Sequence, residues 1–149
     1  MAALEGRFVV DTNVILKLFF PEEDAEKAVY LFQSLESGTI HIFVPDLLAV
    51  EFINILWVKR RQGQASPADC RAILGKFLDL LDKLTMVPSI ELAEEILDGS
   101  IRHNHPAYDM AFLALADRLG APLITADASL CRKMSSSSPT PILLRDLAT

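Results

Sequence analysis

An α/β fold built on a mostly parallel sheet is the fold class this sequence predicts, and three observations carry it. Apolar runs of strand length alternate with stretches whose apolar residues recur at helical spacing. A chain of 149 residues, 51% hydrophobic and 23% charged, has the size and composition of one domain around a single core. No internal repeat and no linker divides it, so residues 1–149 are read as one domain.

The elements follow in order. Phe8 to Val10 reads as the first strand, and Thr12 to Phe20 as a short helix stopped by Pro21. Glu22 to Leu35 is expected as a second helix, with Ala28, Leu31, Phe32 and Leu35 on one buried face and Ser37-Gly38 ending it. Ile40 to Val44 is the second strand. Pro45-Asp46 opens a long helix to about Arg61, with Asp46 as its expected N-cap. Ser66 caps the next, with Pro67 at the first helical position and an end near Lys83. Leu84 to Val87 reads as a short strand, and Ser89 as the cap of a helix from Ile90 to about Arg102. After the connector His103-Asn104-His105, Pro106 begins a helix that ends before Gly120. Leu123 to Thr125 is the fourth strand, and Asp127 opens a short helix. Ser135 to Ser138 is a low-complexity loop, and Pro141 to Leu144 a last edge strand.

Four carboxylates on this frame stand out. Asp11 closes the first strand, at the edge where open parallel sheets bind ligands. A cap for the helix starting at Thr12 is an equal reading, and Thr12 and Asn13 add hydrogen-bonding groups on the same turn. Glu51 has Leu47, Leu48, Asn54 and Ile55 as its helical neighbours, so its face is expected to be buried. A buried carboxylate is costly unless protonated, paired or metal-bound; a salt bridge to a distant Lys or Arg is the structural alternative to a functional role. Asp109 lies in the first turn of the Pro106 helix, where the dipole favours it, yet Phe112 and Leu113 on its face turn it inward. Asp127 follows an apolar run, and alone it reads best as another cap.

Together the four weigh more than singly. The expected topology places Asp11 and Asp127 on one sheet edge, with two helices bringing inward-pointing acids. Oxygen-rich sites suit Mg²⁺ or Mn²⁺, and such a cation activates water and stabilises a departing phosphate oxygen. Metal-assisted phosphodiester chemistry is the class this points to.

The runs Val9-Val10-Asp11-Thr12-Asn13-Val14-Ile15-Leu16, Tyr108-Asp109-Met110-Ala111-Phe112-Leu113-Ala114-Leu115-Ala116 and Leu123-Ile124-Thr125-Ala126-Asp127, with the isolated Glu51 between them, resemble the PIN-domain nucleases. The closest likeness is to VapC-type toxins of toxin–antitoxin pairs, and it runs from about Phe8 to Leu144. The resemblance implies a three-layer α/β/α sandwich and Mg²⁺- or Mn²⁺-dependent endoribonuclease activity on RNA. It implies that Asp11, Glu51, Asp109 and Asp127 are the acidic, metal-holding positions, with Asn13 supporting the first aspartate and Thr125 preceding the last acid. It also implies a homodimer and a cognate antitoxin lying across the active groove. The His103-Asn104-His105 stretch is no family signature.

Other features say less. The formal net charge of −6 argues by itself against a nucleic-acid binder. Phosphates respond to local charge, however, and a bound cation offsets clustered acids. No apolar run approaches the roughly 18 residues that cross a bilayer. Met1 to Arg7 shows no secretory pattern, and Cys70 and Cys131 have no metal or redox spacing. A cytoplasmic protein with no membrane partner is expected. Lys59-Arg60-Arg61 reads as a solvated helix end, with Lys17 the better phosphate candidate. His103 and His105 read as exposed loop histidines, Asp117 as a surface partner of Arg118, and Trp57 as a core or dimer contact.

Competing functions fare worse. A haloacid-dehalogenase-type phosphatase needs an acid two residues after the first, where this chain has Asn13. A receiver domain needs a phospho-accepting Asp on a middle strand, and neither Phe43 nor Val87 leads into one. The alternative from a different class is an inert module of the same fold that binds RNA or protein, against which the full acidic set argues.

Overall fold

The computed structural model describes residues 3–136 and 140–149. Among these residues the sheet has five strands: β1 (Gly6–Val10), β2 (Ile40–Pro45), β3 (Thr85–Val87), β4 (Leu123–Thr125) and β5 (Ile142–Leu143). The order is β3-β2-β1-β4-β5, and every pairing is parallel. Parallel neighbours need crossover connections. These are α1 (Thr12–Leu16), α2 (Ala25–Glu36), α3 (Leu47–Arg61), α4 (Pro67–Leu81), α5 (Ala93–His103), α6 (Ala107–Leu119) and α7 (Ala128–Lys133).

The chain steps outward from β1 through β2 to β3, then returns across the sheet to β4 and steps the other way to β5. Right-handed crossovers taken in opposite directions cover opposite faces. The result is the expected α/β/α sandwich. It also puts a reversal of strand order between β1 and β4, where doubly wound sheets open a crevice at their C-terminal edge.

Burial follows from the layering. Val9, Val10, Leu123 and Ile124 are fully enclosed, because strands covered on both faces carry unbroken apolar runs. The α6 run Met110 to Ala116 is buried throughout, and this helix packs on β1, β2 and β4 with α5 against it. A helix apolar all round belongs inside. Phe52 of α3 stacks on Phe77 of α4 at 3.8 Å between centroids and 9° between planes. Phe19 meets Phe52 edge-on at 5.4 Å. Each such pair adds about 0.5–1.5 kcal/mol to its area burial.

Several expected boundaries move. The helix after Asp11 stops at Leu16 and continues as turns through Phe19, where the chain bends to deliver Phe19 onto Phe52. The next helix starts at Ala25 rather than Glu22, because Asp24 sits in the left-handed region at φ 64° and breaks an earlier start. Ser66 caps α4 as expected, reciprocally with Asp69 at 3.0 Å in each direction.

Asp46 occupies the N-cap position of α3 without capping it. Its carboxylate instead accepts from the Ser89 backbone N–H at 2.9 Å and the Ser89 hydroxyl at 2.7 Å. Ser89 therefore opens no α-helix: Ser89–Leu92 is a 3₁₀ turn, and α5 begins at Ala93. His103 is the last residue of α5, closed by Asn104 at φ 48°. Of the expected serine loop, Ser135 and Ser136 form a turn, while Ser137 and Ser138 lie outside the described residues. The last strand is the edge strand β5, shorter than expected. Among the described residues no helix is long and apolar enough to cross a membrane.

Candidate functional site

The C-terminal edge of the sheet between β1 and β4 is built around Asp11. Its backbone N–H still belongs to the sheet, donating to the Ile124 carbonyl at 2.9 Å. The residue is only 6% exposed, so its carboxylate depends on protein donors. Oδ1 accepts from the Thr12 N–H at 2.8 Å. Oδ2 accepts from the Thr125 hydroxyl at 2.8 Å and the Asn13 amide at 3.3 Å. Asp11 thus caps α1, and it sits at the C-terminal edge of the sheet.

Asn13 and Thr125 stitch the two strand ends together. The Asn13 amide also donates to Thr125 Oγ1 at 3.2 Å, and its carbonyl accepts from the Ala126 N–H at 2.9 Å. Thr125 is fully buried, and its hydroxyl oxygen accepts from the Asp127 N–H at 3.1 Å. Burial pushes the Asp11 carboxyl up to about 7. The Thr125 and Thr12 hydrogen bonds pull it down, while the charges of Asp109 and Glu51 push it further up.

Glu51 reaches the site from the first half of α3. It is half-buried, and its partner is the buried Thr12 hydroxyl, which donates to Oε1 at 2.8 Å. No cation among the described residues takes the salt-bridge role weighed for it. Its carboxyl is pushed up by burial first, lowered by Thr12 and raised by Asp109. Asp109, from the first turn of α6, is felt by both other acids. Its own Oδ2 lies 2.6 Å from His105 Nε2. Asp127 caps α7 by accepting from the Leu130 N–H at 3.0 Å, and it reaches Asp11 through Thr125. Its charge bears most directly on Cys131, whose thiol is pushed up by burial first, then by Asp127, Asp146 and Asp11.

The PIN domain family pattern matches residues 8–134, from β1 to the turn after α7. The chain belongs to the PIN-domain family. It is similar to Ribonuclease VapC3 of Pyrobaculum aerophilum, 28% identical over 127 residues that cover 85% of this chain and 94% of that protein. In fold it is similar to PAE2754 of Pyrobaculum aerophilum, at a TM-score of 0.65 and 16% identity over 97% of this chain and 93% of that one. A toxin–antitoxin complex from Klebsiella pneumoniae matches at a TM-score of 0.61 and 16% identity, covering 93% of this chain and 98% of that one. VapBC2 of Rickettsia felis, bound to a DNA fragment from its promoter, matches at 0.59 and 13% identity over 92% and 96%. The likeness in sequence is thus to a VapC protein, and the likeness to the complexes is one of fold.

In this PIN domain the acids offer oxygen donors, which suit Mg²⁺ or Mn²⁺. The charges of Asp109 and Glu51 raise the proton affinity of Asp11, and that of Asp109 raises the proton affinity of Glu51, as carboxylates do when brought together without a cation between them. That donor chemistry fits a divalent cation. Among the described residues, however, no three His, Cys, Asp or Glu side chains close into a ready-made cage.

The remaining sequence candidates fall elsewhere. Lys17 donates to the Glu23 carbonyl at 2.7 Å and lies 3.7 Å from Glu22, so it is occupied as a phosphate contact. Lys59 pairs with Glu22 and lies over the Phe20 ring. Arg118 pairs with Glu95 and the Glu91 carbonyl rather than with Asp117. Trp57 is 55% exposed beneath Arg61, which removes it from the core. His105 is no exposed loop histidine: its side chain is 14% exposed and joined to Asp109. The four-residue spacing of His105 and Asp109 across a helix start was the signal for this pair in the sequence.

Proposed function

We propose that this chain is a metal-dependent endoribonuclease that hydrolyses RNA phosphodiester bonds, acting as the toxin of a toxin–antitoxin pair. The single observation that carries the reading is Asp11: a carboxylate enclosed at the switch point of the sheet, beside two further acids and, among the described residues, without a cationic side chain to offset it. PIN-family membership and the name of the VapC3 relative support RNA as the substrate. The toxin–antitoxin complex from Klebsiella pneumoniae that shares the fold supports a cognate antitoxin. A homodimer completes the reading. The exposed apolar stripe of Val50, Ile53 and Trp57 on α3 is a surface that a protein partner would cover.

In this reading Asp11, Asp109, Glu51 and Asp127 hold Mg²⁺ or Mn²⁺, with Asp11 held rigid by Thr12, Asn13 and Thr125. The bound cation supplies a lowered pKa for water and charge for the departing oxygen. Glu51 keeps Oε1 tied to Thr12, so Oε2 is the atom that would face the cation or accept a proton from water.

Cleavage of single-stranded and structured RNA with Mn²⁺, Mg²⁺ or EDTA, by wild type and Asp11→Asn side by side, tests this. Metal-dependent cleavage lost in Asp11→Asn is expected. Equal cleavage by both proteins sinks the site. Absence of cleavage, together with absence of Mn²⁺ binding by calorimetry, would leave the inert RNA- or protein-binding module.

A further inference from the structure

Both ring nitrogens of His105 are engaged. Nε2 lies 2.6 Å from Asp109 Oδ2, and Nδ1 lies 2.9 Å from Lys133 Nζ. An ammonium has hydrogens to donate and no lone pair. Lys133 therefore donates to Nδ1, which presents its lone pair, and the ring proton resides on Nε2, where it is donated to Asp109. A second bond fixes Lys133: its Nζ donates to the Asn104 carbonyl at 3.0 Å, on the residue that closes α5.

We propose that Lys133 and His105 form a positioning relay that orients Asp109 toward a bound divalent cation. The proposal rests on the reading of Asp109 as a metal ligand. The relay spans three elements. His105 stands in the connector between α5 and α6, Asp109 in the first turn of α6, and Lys133 at the last position of α7, the helix that Asp127 caps. The geometry does two things. It selects the imidazole tautomer that donates to the carboxylate, since a cation already occupies the other nitrogen. It also restrains Asp109, which is otherwise partly exposed, while leaving Oδ1 for a cation. Outer partners of this kind orient metal-binding carboxylates and are worth roughly 10–100-fold in metal affinity. The relay joins the element carrying Asp127 to the element carrying Asp109, so that α7 supports the site at both of its ends. His105 and Lys133 are positioning residues: neither is placed against the substrate.

The test has two readouts. In metal-free wild type, ¹⁵N ring shifts of His105 are expected to show the neutral Nε2–H tautomer, and that preference is expected to relax in Lys133→Met. By calorimetry, His105→Ala is expected to weaken Mn²⁺ binding about 10–100-fold, with Lys133→Met weaker in effect and His105→Gln, whose amide can donate, partly restored. An Nδ1–H tautomer in wild type overturns the relay. So does Mn²⁺ affinity unchanged or increased in His105→Ala. Asp109→Asn separates the two readings. If it loses Mn²⁺ while His105→Ala does not, the relay alone is wrong. If wild type and Asp109→Asn bind Mn²⁺ equally, or neither binds, the ligand role of Asp109 falls and the relay's role toward the metal falls with it.

Discussion

The Thr125 hydroxyl donates to Oδ2 of Asp11 at 2.8 Å, and that bond uses its only hydrogen. Its two lone pairs accept from the Asn13 amide and the Asp127 N–H, so one fully buried hydroxyl is saturated by three groups from both strand ends. This junction holds the edge of the sheet at the switch point.

Thr125→Val keeps the shape and removes the hydroxyl. Asp11 loses a donor, and two N–H groups lose an acceptor. A loss of about 3 kcal/mol in urea unfolding is expected, most of it recovered in Thr125→Ser. A Val variant as stable as wild type would remove the junction from the account.

Asp11 also sets a pH dependence. Its folded carboxyl is at about 7 against an ordinary value of 3.8, so the folded protein binds more protons than the unfolded chain between those values. Its contribution to the stability of metal-free protein is full below about 4 and is lost as pH rises to about 7. With EDTA, melting temperature should fall across that window by an amount on the order of 10 °C from this group. Asp11→Asn should flatten the fall. Mn²⁺ affinity should rise over the same range, because the cation needs the ionised carboxylate. Identical pH profiles for both proteins would contradict the assignment.

Thr12 governs Glu51 in the same way. Its hydroxyl lowers the Glu51 carboxyl against the upward push of burial. In Thr12→Val the carboxyl should climb further, and the acid limb of a cleavage pH–rate profile should move to higher pH. Stability should drop by about 1–2 kcal/mol, and Thr12→Ser should behave as wild type.

Two helical glycines should respond to alanine by different amounts. A Cβ on Gly99 of α5 would lie 2.5 Å from the Met110 methyl of α6, so Gly99→Ala forces a buried side chain to repack. Met110 Cε is the far end of a flexible side chain, so the shift is cheap and offsets only part of a helix-propensity gain of up to about 1 kcal/mol. Gly75 of α4 has nothing within 4 Å of the added carbon. Gly75→Ala should therefore stabilise by roughly 0.5–1 kcal/mol. Thermal melts of the two variants decide both.

Much of this was legible in the sequence, because it is local. The strands ending at Asp11 and Thr125, the Ser66 cap and the buried α6 run are written in consecutive residues, since strand and helix periods and cap chemistry act over a few positions. Asp11 and Asp127 could be singled out for the same reason, each standing between a strand and a helix, whereas the roles of Asn13 and Thr125 came only with the family resemblance. What the tertiary structure alone decided is which groups meet. Asp46 left its cap position for Ser89, 43 residues away, Glu51 found Thr12 across 39 residues, and Lys133 reached His105 across 28. The first depends on β3 pairing with β2, the second on β2 pairing with β1, and the third on the chain returning to pair β4 with β1. Strand order is a property of how the whole core is buried, and a side chain's hydrogen-bonding capacity names its possible partners without choosing among them.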